Sequence, residues 1–231
     1  MSNRPQAWQR MIPSGMRRIY RLATGALGLV SVGAQYWLIM HDKSGAALVT
    51  GTINFLSYFT ILTSLLAAAA MLFPVLAPGW PLGAFFERAS VRTAITGYII
   101  IVGAVYFLLL RNVGHAEGLS LFFDHILHYV LPPLFVLDWI LFVPKGVVAW
   151  RNGFACLGFP ALYIAWTLSH GALTGWYPYH FVDVTKLGYA QTVLNIAGLV
   201  LAFLALDFLL VAIDRVKPSR RARAGTSATR S

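Results

Sequence analysis

Charged residues and cysteines are scarce in this chain. Only 11% of its 231 residues are charged, whereas 58% are hydrophobic. Because soluble domains carry about 25% charged residues, this composition argues against a soluble globular protein and predicts an integral membrane protein. The single cysteine, Cys156, excludes an intramolecular disulfide and any metal site built from several cysteines.

Long apolar runs fill most of the sequence. A helix needs roughly 20 apolar residues to cross about 30 Å of hydrocarbon. Runs of this kind cover residues 19–40, 52–76, 90–110, 120–143, 154–172 and 188–213. We therefore predict an all-α fold, a polytopic membrane protein built as a six-transmembrane-helix bundle. Its parts would be an N-terminal arm (1–18), the membrane domain (19–214) and a basic tail (215–231) that we expect to be disordered.

Acidic residues are also few, and the basic residues are unevenly placed. The chain has 8 acidic residues against 18 lysines and arginines, and all of the latter except Lys43, Arg111 and Lys186 fall on one side of the predicted bundle. Cytoplasmic loops are enriched in Lys and Arg, so we expect both termini in the cytoplasm. We expect the protein to lie in a plasma membrane, namely a bacterial inner membrane. Its expected partners are membrane lipids. No nucleic-acid partner is needed to explain the charge.

Two polar residues inside the apolar runs are the main functional candidates. Thr60 in the second span and His128 in the fourth each lie nine residues from the predicted outer end, or roughly 13 Å deep at about 1.5 Å per residue. An ionisable residue inside a membrane is a functional candidate by default. Alternatively, the threonine hydroxyl bonds its own helix backbone and the histidine only joins two helices.

The fourth span is the more informative of the two. Asp124, His125 and His128 occupy positions i, i+1 and i+4, and Pro132 and Pro133 follow closely. The prolines lack the N–H groups that would bond the carbonyls four residues earlier, so the helix should kink near His128. Freed carbonyls in a membrane must face protein or a water-filled cavity. We therefore expect a polar pocket at His128.

Short segments around these residues resemble a known family. Tyr58-Phe-Thr60, His125-x-x-His128 with the following Pro133, and Thr174-Gly-Trp-Tyr-Pro178 resemble the androgen-induced and androgen-dependent TFPI-regulating membrane proteins and their bacterial six-span relatives. The resemblance covers most of the six-span body. It departs at Thr63, where the mammalian segment has an acidic residue.

The resemblance implies a function and two catalytic residues. Mammalian members of that family are threonine hydrolases of fatty acid esters of hydroxy fatty acids, so Thr60 would be the nucleophile and His128 its base. The class implied is an intramembrane hydrolase of lipid-like esters that forms an acyl-threonine intermediate, with no cofactor and no metal. We further expect pocket, orienting or oxyanion-binding roles among the neighbouring polar residues Asp124, His125, Asn54, Tyr58 and His170.

Other functional classes remain open at this point. A proton-coupled transporter would use Asp124, His125 and His128 as a relay in a water-filled cavity. A metal-binding membrane protein would instead collect histidines, and the candidates are His125, His128, His170 and His180. Two histidines at i and i+3 are weak support for such a site. A structural membrane protein would have neither activity.

Overall fold

The fold is helical throughout the part of the chain that the structure, a computed structural model, describes, which is residues 13–113 and 116–216. The α-helices are α1 (Ser14–Met40), α2 (Gly45–Leu56), α3 (Phe59–Leu76), α4 (Pro81–Phe86), α5 (Ala89–Val105), α6 (Gly118–His125), α7 (Leu131–Phe142), α8 (Arg151–Ala155), α9 (Gly158–Thr174) and α10 (Val184–Val216). Neither range contains a β-strand. The all-α prediction is therefore confirmed. Most of the predicted arm and tail lies outside the described residues, although 14–18 belong to α1 and 215–216 to α10.

Within residues 13–113 and 116–216, five segments are long and apolar enough to cross a membrane. They are Ser14–Met40, Phe59–Leu76, Ala89–Leu110, Gly118–Phe142 and Val184–Val216. The predicted span 154–172 corresponds to α9, whose 17 residues extend about 25 Å, short of the roughly 30 Å of a hydrocarbon core. The protein is thus a multi-pass membrane protein, and the sixth span and the side of the termini stay predictions.

The prediction of one continuous helix over 52–76 is wrong. The chain forms α2, breaks at Ser57 and Tyr58, and starts again as α3. The break is stabilised from α9: the Tyr163 hydroxyl donates to the buried main-chain oxygen of Ser57 at 3.0 Å, and Trp166 Nε1 donates to Ser57 Oγ at 2.9 Å. A hydropathy pattern cannot register partners supplied by a distant helix.

The predicted irregularity at His128 takes the form of a π-helical turn. Residues Ile126–Val130 form this turn between α6 and α7, and Pro132 follows in the first turn of α7. The neighbouring α5 approaches closely here, because a Cβ on Gly103 would lie only 3.1 Å from the main-chain oxygen of His128. A second π-helical turn, Tyr106–Leu110, extends α5. Both turns lie beside the candidate site.

A buried cluster of charges joins α1, α5 and α7. The Asp138 carboxylate on α7 accepts hydrogen bonds from Arg21 Nε at 2.8 Å and from Arg92 Nη2 at 2.7 Å. Arg92 also donates to the Ala70 carbonyl at 2.7 Å, which Pro74 leaves without its helical partner. The cluster therefore pairs buried charges and satisfies a broken turn of α3 at once.

Candidate active site

Thr60 and His128 meet inside the bundle. Thr60 Oγ1 lies 3.1 Å from His128 Nε2, a hydrogen-bonding distance. Both side chains are buried, since the two residues are only 8% and 7% exposed. One comes from the first turn of α3 and the other from the π-helical turn, so two irregularities of the fold bring them together.

The opposite nitrogen of His128 fixes which ring tautomer is present. His128 Nδ1 lies 2.9 Å from the main-chain oxygen of Asp124 and 3.2 Å from its carboxylate Oδ1. The main-chain oxygen can only accept a hydrogen bond, and the same is true of the carboxylate oxygen when it is ionised. Nδ1 must therefore carry the proton in the neutral ring. Nε2 is then left with its lone pair facing the Thr60 hydroxyl, as a general base requires.

Tyr106 covers one face of the imidazole. The two rings are stacked, with centroids 3.9 Å apart and planes 17° from parallel. This contact restrains rotation of the His128 ring. Such restraint keeps a catalytic group close to one geometry.

Tyr179 brings a second hydroxyl to Thr60 from the loop between α9 and α10. Its oxygen lies 3.4 Å from the Thr60 main-chain nitrogen, a long contact in which the backbone N–H donates. Tyr179 is buried, and burial raises the pKa of its phenol to about 12. The hydroxyl therefore keeps its proton at ordinary pH and remains a hydrogen-bond donor.

The helix break also sets the electrostatics around Thr60. Because α3 begins at Phe59, Thr60 lies in a first helical turn, where backbone N–H groups have no carbonyl of their own helix to bond. The N-terminal end of a helix carries a partial positive charge. Negative charge that develops at Thr60 is therefore in a favourable place.

Two cavities adjoin at Thr60. The first, of about 400 Å³, lies among α3, α5, α9 and α10, and its walls are hydrocarbon apart from Thr60, Tyr163 and Tyr179. The second, of about 370 Å³, includes polar and charged groups such as Asp124 and His128 in its wall. Thr60, Tyr179 and Leu110 line both. A hydroxyl activated by His128 thus borders an apolar space and a more polar one.

The remaining predicted site residues divide into two groups. Tyr58 lines the polar cavity and packs edge-on against Tyr179, with ring centroids 5.7 Å apart. His125 is exposed and packs against Tyr129 instead of the cavity. Asn54 and His170 pair with each other, Oδ1 to Nε2, at 3.0 Å, and neither lines a cavity described above.

The histidines do not gather in one place within the described residues. Across 13–113 and 116–216, no group of three or more His, Cys, Asp or Glu side chains is arranged to hold a metal ion. His128 faces Thr60 and His170 faces Asn54. The geometry therefore gives the four-histidine metal site no support.

Two tyrosines at the site were not singled out by the sequence. Tyr106 sits in an apolar run with no polar neighbour to mark it. Tyr179 belongs to the aromatic loop Trp176-Tyr-Pro-Tyr-His180, where aromatic residues are equally typical of bilayer anchoring. The only usable signal was the density of aromatic residues in that loop.

Comparison with known proteins found no matching family model, no similar curated protein and no similar solved structure.

Proposed function

We propose that this protein is an intramembrane hydrolase of lipid-like carboxylic esters, with Thr60 as nucleophile and His128 as general base. The observation that carries the proposal is the 3.1 Å contact between Thr60 Oγ1 and His128 Nε2 at the junction of two cavities. A threonine hydroxyl is a weak nucleophile unless a neighbouring base takes its proton. The tautomer imposed by Asp124 makes His128 such a base.

The first half of the reaction acylates the enzyme. His128 Nε2 removes the proton of Thr60, and Oγ1 attacks the ester carbonyl to form a tetrahedral intermediate. Its oxyanion is stabilised by the Tyr179 hydroxyl and by backbone N–H groups of the first turn of α3. The imidazolium, paired with Asp124, then gives its proton to the leaving alcohol, and the acyl group stays on Thr60.

The second half restores the threonine. Water takes the place of the alcohol in the polar cavity, and His128 removes one of its protons as it attacks the acyl-threonine carbonyl. Collapse of the second tetrahedral intermediate transfers that proton from His128 to Thr60 Oγ1 and releases the carboxylic acid, which keeps the other hydrogen of the water. The arrangement of Thr60, His128 and Asp124 thus has the roles of nucleophile, base and orienting group found in hydrolytic triads.

The two cavities indicate how an ester would lie. The hydrocarbon walls of the first suit a fatty acyl chain, because they offer it an apolar environment like the one that it leaves in the lipid. The second, with Asp124, Ser120 and Gln35 in its wall, suits the alcohol portion and the entering water. We extend the proposal to a six-span protein with both termini in the cytoplasm, which would receive its substrate from the surrounding lipid.

Fluorophosphonate labelling tests the nucleophile. The informative variant is Thr60→Val, which removes the hydroxyl and keeps the shape of the side chain. Its matched control is Thr63→Val, because Thr63 is also buried in α3 and its hydroxyl has no hydrogen-bond partner among the described residues. We expect the parent and Thr63→Val to be labelled and Thr60→Val not to be labelled. Equal labelling of the two variants would contradict the proposal.

His128→Ala separates hydrolysis from transport. A hydrolase needs both residues, so ester cleavage by purified protein should fall to background in Thr60→Val and in His128→Ala. A proton-coupled carrier would need the histidine alone. Uptake by reconstituted vesicles that persists in Thr60→Val and disappears in His128→Ala, with no ester cleavage by the parent, would replace the hydrolase by the carrier.

A further inference from the structure

A pocket at the opposite end of α3 from Thr60 is unusually rich in arginine. It has a volume of about 250 Å³ and lies fourteen residues along α3 from the candidate site, or roughly 21 Å. Its walls are Arg17, Arg18, Arg21, Pro74, Val75 and Pro78. The first three come from the start of α1, and the others from the end of α3 and the turn that follows.

The charges around this pocket are not balanced. Glu87 pairs with Arg21 at 2.7 Å and more loosely with Arg17 at 4.0 Å, and Asp138 is shared between Arg21 and Arg92. Three guanidinium groups therefore share two carboxylates, and Arg18 adds a fourth positive charge at the pocket. Arg18 is exposed and makes no ion pair with the part of the chain that is described.

One of these arginines has a buried donor that is not used. The side chain of Arg21 is only 3% exposed. Its Nε donates a hydrogen bond to Asp138, and its Nη1 donates one to Glu87. Its Nη2 is buried and has no hydrogen-bond partner among the described residues. Arg21 is one of the wall residues of the pocket. A buried polar group without a partner is costly, so an acceptor that entered the pocket and reached this nitrogen would stabilise the protein.

We propose that this pocket binds a phosphate group. Guanidinium groups present planar pairs of N–H donors that match phosphate oxygens. Arg17 and Arg18 precede Arg21 by four and three residues, so each of them is a neighbour of Arg21 on the surface of α1. Pro74, Val75 and Pro78 form an apolar wall beside them. An anionic phospholipid and free phosphate present this same chemistry, and the experiment distinguishes the two sources.

Thermal unfolding of the full chain in neutral detergent tests the site. Phosphatidylglycerol is titrated against phosphatidylcholine, and inorganic phosphate against chloride at equal ionic strength. The variant is Arg18→Gln, which leaves the Arg21 cluster intact, and the control is Arg151→Gln, an exposed arginine of α8 that does not line the pocket. Neither substitution touches Thr60 or His128, so the result does not depend on the proposed hydrolase.

We expect phosphatidylglycerol or phosphate to raise the unfolding temperature of the parent and of Arg18→Gln. The concentration of phosphatidylglycerol or phosphate that gives half of the maximal shift should be about tenfold higher for Arg18→Gln, in line with the loss of one charge-assisted hydrogen bond. For Arg151→Gln it should equal that of the parent. An effect of phosphatidylglycerol alone would identify a lipid as the source, and an effect of inorganic phosphate would identify the free anion. Equal shifts in the two variants, or no effect beyond phosphatidylcholine and chloride, would overturn the proposal.

Discussion

Asp124 holds the ring of His128 through two different acceptors. The main-chain oxygen lies 2.9 Å from Nδ1 and the carboxylate Oδ1 lies 3.2 Å from it. The backbone acceptor alone is enough to keep the proton on Nδ1, whereas the carboxylate adds a charge that stabilises the imidazolium. Orientation and charge stabilisation are therefore supplied by separate atoms of one residue.

This division of roles predicts a moderate effect for Asp124→Asn. A charge-assisted hydrogen bond contributes about 1–2 kcal/mol more than a neutral one, so kcat for ester hydrolysis should fall about tenfold. In a serine protease, loss of the equivalent carboxylate costs roughly 10⁴-fold because the tautomer changes. The measurement is steady-state kinetics of the folded variant. A 10⁴-fold loss of kcat would contradict the claim that the Asp124 main-chain oxygen holds the His128 tautomer.

Tyr179→Phe should lower kcat by about 100-fold, the usual effect of removing one oxyanion donor, and change KM little. Tyr177→Phe is the control, since Tyr177 lies on the same loop and its hydroxyl makes no hydrogen bond to a described residue. The measurement is a kcat comparison of the three proteins. Equal rates for parent and Tyr179→Phe would remove Tyr179 from the mechanism.

The pH dependence of the Tyr179→Phe effect on kcat follows from the pKa of the Tyr179 phenol. Burial raises the pKa of Tyr179 to about 12 from an ordinary 10, so the donor keeps its proton until the pH approaches the raised value. The ratio of parent to Tyr179→Phe activity should therefore stay constant from about pH 8 to about pH 10. A ratio that declines as the pH passes through 10 would mean that the phenol is not buried as described.

Gly103→Ala should disturb the site through the backbone. The added Cβ would lie 3.1 Å from the His128 main-chain oxygen and 3.5 Å from Pro132, so the π-helical turn must shift by a few tenths of an ångström. We expect fluorophosphonate labelling to slow by less than the roughly 100-fold that a 1 Å displacement costs. Gly198→Ala, with no atom within 4 Å of its Cβ, should label at the parent rate, and slowing of both variants alike would argue against a local effect.

Asp138→Asn should lower the free energy of unfolding; its effect is on the fold and not on the chemistry. It leaves Arg21 and Arg92 buried without their shared carboxylate, and breaking a buried ion pair costs about 3–5 kcal/mol. Glu87→Gln is the comparison, because the Glu87 side chain is 43% exposed and partly exposed pairs contribute about 0–1 kcal/mol. Unfolding in denaturant measures both, and similar losses would show that Asp138 is not the centre of the cluster.

The sequence predicted the helices well because burial in lipid imposes long apolar runs. Each predicted span overlaps a helix, including 188–213 within α10 and 90–110 within α5 and its π-helical turn. The break before Thr60 was missed, since neither Pro nor Gly marks it and its hydrogen bonds come from Tyr163 and Trp166, more than 100 residues away. Tertiary contacts, not local preference, decide that position.

The site was predictable only in part. The prolines after His128 pointed to an irregular helix there, and the resemblance paired this residue with Thr60. Nothing local to Tyr106 indicated that its ring would stack on the imidazole, because that contact depends on how α5 packs against the fourth span. The position of Thr60 at a helix N-terminus likewise follows from the break, which the pattern of apolar residues does not contain.

The most direct test of the central claim is to locate a fluorophosphonate adduct by peptide mass spectrometry after labelling the purified protein. We expect an adduct on Thr60 in the parent protein and in Thr63→Val, and no adduct on this residue in His128→Ala. An adduct on a different residue, or undiminished modification of Thr60 when His128 is replaced, would contradict the central claim.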